Sequence, residues 1–367
     1  MISEQNCIRF LATTFACLGM AACALVDPEY YSDSDRMTVG VGTPVPAAGE
    51  TVSVATSAAD AADDPEIWAD PADPSRAVIF GTDKKAGLYV YGLDGAVRQF
   101  LPEGPLNNVD LRPGFTVGGR EQVLVGASDR ARKGVAFFLL DPATLQVSNL
   151  GFTPVALPDP YGFCMGVREG SHVVVMTGES GEVRQLRVGL ADGRPMLTEE
   201  RRFAVGSQAE GCVVDERTGA LYVGEEAKGV WRYGFDPASG AMRTLVAAAP
   251  SQTLEPDVEG LALLREGEKT WLIASSQGDS AFSIWRVDGP SPAYAGRFSV
   301  VAANGVDAVT GTDGVAALGG PVGSFGQGLV VVQDDVDSEG ETASTTRERQ
   351  NFKLVDWAAV RAALSLP

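Results

Sequence analysis

Residues 210–226 read Glu-Gly-Cys-Val-Val-Asp-Glu-Arg-Thr-Gly-Ala-Leu-Tyr-Val-Gly-Glu-Glu. An acidic residue and a glycine head a short apolar run, a polar turn follows at Asp215–Gly219, and a second apolar run ends in Gly224-Glu225-Glu226. Valine and aromatic residues in the runs, with Gly and Asp between them, spell strand, turn, strand. The same phrase recurs along the chain. Its opening polar residue appears as Asp64, Asn108, Tyr161, Glu210, Glu259 and Asp313, at gaps of 44, 53, 49, 49 and 54 residues. Tyr161, Glu210, Glu259 and Asp313 are each followed by Gly, whereas Asp64-Pro65 and Asn108-Val109 are variants. A fixed period of this size marks an internal repeat.

A second beat keeps step with the first: Gly81-Thr82-Asp83, Gly126-Ala127-Ser128, Met176-Thr177-Gly178, Gly224-Glu225-Glu226, Ser275-Ser276-Gln277 and Val332-Gln333-Asp334. Each unit then reads as strand, turn, strand, polar loop, strand. Six such units fill residues 51–367 and predict an all-β chain, a six-bladed β-propeller of four-stranded antiparallel blades. The ring should close by pairing of terminal strands, Val52–Thr56 with Asn351–Val355, and only the tail Trp357–Leu364 has helical composition. With 45% hydrophobic residues, 43 glycines and 21 prolines among 367, the chain has apolar surface for one large core and turn residues for many short connections.

Residues 1–24 stand apart from the fold. An uncharged apolar stretch from Phe10 to Val26 follows Arg9, in the manner of a secretory signal. Ala22-Cys23-Ala24 suits ordinary cleavage, and Met20-Ala21-Ala22-Cys23 suits a lipoprotein signal with Cys23 acylated. The run is short for an uncleaved membrane span. We therefore expect an exported protein, whether periplasmic, an outer-membrane lipoprotein with a lipid anchor, or secreted. Residues 25–50, acidic and proline-containing, read as a flexible linker. Cys164 and Cys212 are the two cysteines of the folded part. We read them as a buried pair of small hydrophobes, with a disulfide between adjacent blades as the alternative.

Several chemistries are excluded by what is missing. His172 is the only histidine, in an apolar run that suggests a half-exposed strand position, so a Ser-His-Asp triad or a multi-histidine zinc site has little to stand on. Neither Cys164 nor Cys212 begins a Cys-x5-Arg phosphatase loop, and there is no Walker-type phosphate loop. A formal charge of −19, from 48 acidic and 29 basic residues, disfavours nucleic acid as a partner.

Abundant carboxylate remains. The innermost strand of each propeller blade faces the axis, so Asp64, Glu210, Glu259 and Asp313 should converge at one mouth, joined by Asp257, Asp307 and Glu226. Converging carboxylates repel unless cations neutralise them or some are protonated, and an all-oxygen shell suits Ca²⁺. The plainer alternative is that such residues only cap strands and turns. Lys84, Lys85 and Arg130, at the second beat of the first two units, shift the balance. A mouth with both metal ligands and cations suits a phosphate ester.

These motifs resemble the β-propeller phytases in collinear order: DDPEIW at 63–68, TDKKAGLYVY at 82–91, LNNVDLR at 106–112, YGF at 161–163, residues 210–226, PDVEGLALL at 256–264, ASSQGD at 274–279, TDGV at 312–315 and QNFKLVDW at 350–357. The resemblance implies a calcium-dependent 3-phytase, a monomer that hydrolyses myo-inositol hexakisphosphate by attack of a calcium-bound water, with a cleavage site beside an affinity site for a neighbouring phosphate. It further implies that Lys84, Arg130 and Tyr161 bind the reacting phosphate and Lys85 the neighbouring one. Glu210, Glu226, Glu259 and Asp307 match carboxylates that hold catalytic calcium, Asp313 another acid of that cluster, and Asp64 and Gln277 positions near structural calcium.

One departure stands out. Glu179-Ser180 occupies the place of a common Lys-Glu pair, which removes a phosphate-binding lysine and points to weaker binding of highly phosphorylated substrates. Two readings from other classes remain at this stage: a lactonase-like metal-dependent propeller hydrolase, and a non-catalytic calcium-binding propeller.

Overall fold

The computed structural model describes residues 40–344 and 346–367. The expected signal peptide, its expected cleavage point, Cys23 and the expected linker up to residue 39 lie outside the described residues. Strands β1 (Thr43–Pro46) and β2 (Gly49–Glu50) come first in the chain, and six sheets of the predicted kind follow. Blade 1 comprises β3 (Ala62–Ala69), β4 (Ala77–Asp83), β5 (Gly87–Tyr91) and β6 (Val97–Leu101). Blade 2 is β7 (Leu106–Val117), β8 (Arg120–Asp129), β9 (Gly134–Leu140) and β10 (Val147–Pro154). Blade 3 is β11 (Pro160–Arg168), β12 (Ser171–Gly178), β13 (Glu182–Ala191) and β14 (Arg194–Ala204). Blade 4 is β15 (Ala209–Asp215), β16 (Ala220–Glu225), β17 (Gly229–Gly234) and β18 (Arg243–Ala248). Blade 5 contains β19 (Val258–Glu266), β20 (Lys269–Ser276), β21 (Ala281–Arg286) and β22 (Ala293–Val301). Blade 6 contains β23 (Val315–Gly319), β24 (Gly328–Asp334) and β25 (Asn351–Asp356), and helix α1 (Trp357–Leu364) ends the fold.

The N-terminal segment closes the ring earlier in the chain than expected. β2 supplies the fourth strand of blade 6 by pairing with β25, Gly49 opposite Leu354. The contact continues as Thr51 and Val54 donate backbone hydrogen bonds to Phe352 and Gln350. β1 pairs in parallel with β22 and gives blade 5 a fifth strand. Residues 43–46 and 49–50 are therefore sheet, not the free linker that their proline content suggested. Their N–H and C=O groups find partners on two open blade edges, which covers those edges in the same stroke.

Alternation of side chains distributes the core. On β8, Val123 and Val125 face blade 1 while Leu124, between them, faces blade 3. Each of six apolar clusters accordingly fills one boundary between neighbouring blades, as Trp68, Phe80 and Phe138 do between blades 1 and 2, and Trp271, Phe282 and Trp357 between blades 5 and 6. Each fully buried side chain of this size contributes about 1.5–3 kcal/mol. Packing between blades, rather than within a blade, therefore holds the ring together.

Cys164 and Cys212 are both buried, and they are bonded: Sγ–Sγ is 2.02 Å and the Cα atoms lie 5.6 Å apart. The plain buried pair is thus replaced by the disulfide alternative, between β11 and β15 of adjacent blades. Closing the 48-residue separation removes unfolded-state entropy worth about 4 kcal/mol in the chain-entropy picture. His172 is buried rather than half-exposed, with a ring nitrogen 2.9 Å from the Pro113 carbonyl and its ring edge-on to Phe115.

Candidate active site

Five of the six inner strands carry a register shift at the same place. The breaks fall between Ala62 and Pro65, Leu106 and Val109, Pro160 and Phe163, Ala209 and Cys212, and Val258 and Leu261. A bulge there leaves two residues unpaired and re-aims the first of them. Aligned by register, those first residues are Asp63, Asn107, Tyr161, Glu210 and Glu259, with Asp313 just ahead of β23 in the sixth blade. Asp63 and Asn107 are therefore the structural counterparts of Glu210, whereas Asp64 and Asn108 stand where the other blades have Gly. The double Asp-Asp and Asn-Asn steps hid this, because sequence alone does not say which of two adjacent polar residues takes the bulge.

The glycines are required by the neighbouring blade. A Cβ on Gly211 would lie 2.0 Å from the Glu259 carbonyl oxygen, and one on Gly162 1.9 Å from that of Glu210. Each bulge thus nests against the next.

A second ring surrounds the first. The second strands of the blades end beside the bulges, and the residues that follow are Lys84, Arg130, Glu179, Glu226, Gln277 and Asp335. Four of them repeat one backbone bond: Lys84, Glu179, Glu226 and Gln277 donate N–H to the carbonyls of Ala61, Asp159, Gln208 and Asp257. Blades 1 and 2 therefore present cations, and blades 3, 4 and 6 carboxylates.

The two rings meet in buried charge. Asp63, Glu210 and Asp313 offer oxygens within 4.8 Å of one another, and so do Glu210, Glu226 and Glu259, with Glu210 common to both groups. All five carboxylates are buried. Lys84 Nζ lies 2.9 Å from Asp60, 3.0 Å from Asp63 and 3.4 Å from Asp313. Burial, then the charge of Asp63, pushes Glu210 up to about 7. Burial and the charges of Glu226, Glu210 and Asp313 hold Glu259 well above the ordinary carboxylate range, and burial and Asp63 do the same for Asp313. Glu259 Oε2 is buried with no hydrogen-bond partner, and the Asp63 carboxylate is buried with no hydrogen bond beyond its ion pair to Lys84. Carboxylates crowded, dehydrated and short of donors are matched to a hard cation with an oxygen shell.

A guanidinium and a phenol stand beside this group. Arg130 lies over the Tyr161 ring, 4.7 Å from its centroid, and donates to Asn107 Oδ1 at 3.4 Å and to Glu179 at 2.5 Å. Asn107 in turn donates to Glu210 at 2.6 Å. Burial and the surrounding carboxylates raise the Tyr161 phenol, which keeps its proton as a donor. Lys85 is exposed at the rim, Gln277 is half-buried in the second ring, and Asp257 is buried two residues ahead of Glu259.

Two further expected ligands lie outside these two triads. Asp64 turns into the axial channel below the mouth, a cavity of about 540 Å³ that it lines with Asn108, Gly211 and Gly260, and its carboxylate accepts from the Val109 N–H at 3.0 Å. The walls of that channel are mostly apolar, and the convergent polar groups stand above it. Asp307 joins a separate cluster with Glu50 and Asp337. The buried Lys353 ammonium draws that cluster together, 2.6 Å from Asp307 and Glu50, 3.2 Å from Asp334 and 3.3 Å from Asp337.

The profile of the phytase family matches residues 9–366. A 3-phytase of Bacillus subtilis is 31% identical over 362 residues, covering 95% of this chain and 91% of the relative. Among solved structures, the WD40 repeats of RRP9 cover 85% of this chain and 98% of their own at 11% identity and a TM-score of 0.47. A protein from Desulfotomaculum acetoxidans covers 64% and 71% at 15% identity and a TM-score of 0.43. These structural likenesses are too distant to bear on function. The family match spans the blades and both rings of the mouth, and the chain belongs to the phytase family of phosphoric monoester hydrolases.

Proposed function

We propose that the protein is a calcium-dependent phosphatase that releases phosphate from myo-inositol hexakisphosphate at this mouth. Membership of the phytase family supports the substrate. The observation that carries the metal requirement is the pair of buried carboxylate triads sharing Glu210, beside Lys84, Arg130 and Tyr161. Glu210, Glu226, Glu259, Asp63 and Asp313 would hold the cations. Calcium bound there supplies positive charge against the phosphoryl oxygens and lowers the pKa of water near it.

The chain's own groups orient the ester. Lys84 and Arg130 place positive charge at the mouth of blades 1 and 2, where a phosphate approaching the triads must pass. Tyr161 donates a hydrogen bond from a phenol that stays protonated, and the Arg130 guanidinium stacked on its ring keeps that donor aimed. Lys85, exposed at the rim, takes the neighbouring phosphate. No side-chain nucleophile is needed. His172, the lone histidine, lies at the start of β12, the end opposite the mouth.

Glu179 limits this site. It engages Arg130 at 2.5 Å, so a substrate phosphate must displace a carboxylate to reach that guanidinium. Glu179→Lys should lower KM for the hexakisphosphate with little change in kcat; an unaltered KM would count against this role. Export, with the lipid anchor at Cys23 as one form of it, is also proposed, and the disulfide is consistent with an oxidising compartment.

The direct test is phosphate release by protein lacking residues 1–24, in calcium and then in excess chelator. Release that depends on calcium is expected. Folded protein that binds calcium without turnover would point to a binding propeller, and turnover of a lactone instead of a phosphate ester would point to a lactonase-like hydrolase.

A further inference from the structure

The boundary between blades 3 and 4 is held differently from the two that flank blade 6. At the 5/6 boundary the Gly260 N–H donates to the Asp313 carbonyl at 3.2 Å, and at the 6/1 boundary the Gly314 N–H donates to Asp63 at 3.0 Å. These bonds lock one bulge to the next at the height of the carboxylates. Among the described residues no backbone hydrogen bond joins Gly162 to Glu210; the Thr177 hydroxyl reaches the Glu210 carbonyl at 3.1 Å. The Cys164–Cys212 disulfide crosses this same boundary.

Its place in the strands gives it leverage on the mouth. Cys212 is the first paired residue after the Glu210 bulge, and Cys164 follows the first paired residue after the Tyr161 bulge. Tyr161 and Glu210 are hydrogen-bonded to each other, and Glu210 alone belongs to both carboxylate triads. Both sulfurs are buried, in an apolar cluster with Val175, Val214 and Val223. A covalent link one or two residues below a bulge limits how far the two bulges can part, where a single side-chain hydrogen bond would let them breathe.

We infer that the Cys164–Cys212 disulfide is a positioning element of the active site: it fixes β11 against β15 so that Glu210 is held where both triads can share it and Tyr161 is held beside it. The cysteines touch neither substrate nor metal. They act through the strand backbone on Glu210, the way groups behind a ligand tune metal affinity. The inference rests on the reading of the Glu210, Glu226 and Glu259 group as a cation site.

The experiment is calcium titration by calorimetry of the oxidised protein and of Cys164→Ala/Cys212→Ala, at a temperature where circular dichroism shows both folded. Calcium affinity at the mouth should weaken about tenfold or more in the variant. Phosphine reduction should weaken it in the wild type and leave the variant unchanged, and KM for the phosphate ester should rise in parallel. Calcium affinity and KM equal to the oxidised protein, with only a lower melting temperature, would overturn the inference and leave the bond a plain staple. Should the double variant not fold, Cys212→Ala, which loses only the bond and one sulfur, gives the same comparison. Oxidised wild type that binds no calcium at the mouth would instead sink the cation reading itself, so the two failures are distinguishable.

Discussion

Replacing Glu210 by glutamine should have opposite effects on the protein with and without calcium. In the metal-free protein at pH 8 Glu210 is ionised close to Asp63, and burial, then the Asp63 charge, moves it from an ordinary 4.5 to about 7. At pH 8 the folded state therefore carries a cost of about 3 kcal/mol, the shift converted at 1.36 kcal/mol per unit. Glutamine removes that charge, and its oxygen still accepts from Asn107. With an unfolding entropy near 2.1 cal/mol/K per residue over the propeller, this is a rise in Tm of about 4 °C in chelator. In calcium the order should invert, since the shared ligand of both triads is gone, and phosphate release should collapse. The assay is differential scanning calorimetry at pH 8, with chelator and with calcium, alongside phosphate release. A variant less stable than wild type in chelator would refute the picture of stored carboxylate repulsion. Equal calcium stabilisation of both proteins would refute Glu210 as a ligand.

The pH dependence follows from the same group. Between about pH 4.5 and 7 the metal-free folded protein holds a proton on Glu210 that the unfolded chain has released, so its stability falls as pH rises through that window. Calcium must displace that proton, so its affinity should climb up to about pH 7 and level off above; titrations at pH 5.5 and 8 with equal affinity would contradict this. Gly162→Ala puts a methyl group 1.9 Å from the Glu210 carbonyl oxygen. Backbone on both sides cannot yield, and a loss above about 4 kcal/mol is expected by denaturant titration, against a usual loss near 1. Lys353→Met strips the ammonium from Glu50, Asp307, Asp334 and Asp337. Leaving those charges unpaired should cost about 3–5 kcal/mol in chelator, and an unchanged urea midpoint would show that the cluster does not hold the ring closed.

The propeller was legible because its information is local and repeated. Each unit writes its own strand alternation and turn glycines, and six copies at nearly constant spacing leave little choice of architecture. The strand Asn351–Asp356 and the helix Trp357–Leu364 were readable for the same reason. Ring closure was readable only in kind. The extra pairing of Thr43–Pro46 with β22 joins residues more than 250 positions apart, and a proline-bearing stretch gives no local sign that an open blade edge awaits it.

The site divides in the same way. Glu210, Glu259 and Asp313 announce themselves by an acidic residue before a glycine, and that glycine is there because the neighbouring bulge leaves no room for a Cβ. Asp63 and Asn107 were missed for their neighbours, since strand register, not composition, decides which of two adjacent polar residues faces the mouth. The sequence by itself determined the number of blades, the kinds of residue that repeat along them and the family, because these rest on residue types repeated at a period. Only the tertiary structure decided that Asp307 pairs with Lys353, that Cys164 and Cys212 are bonded, and that Glu179 engages Arg130. Each of these is a distance between segments far apart in the chain, set by how the blades close around one axis, and no local pattern carries it.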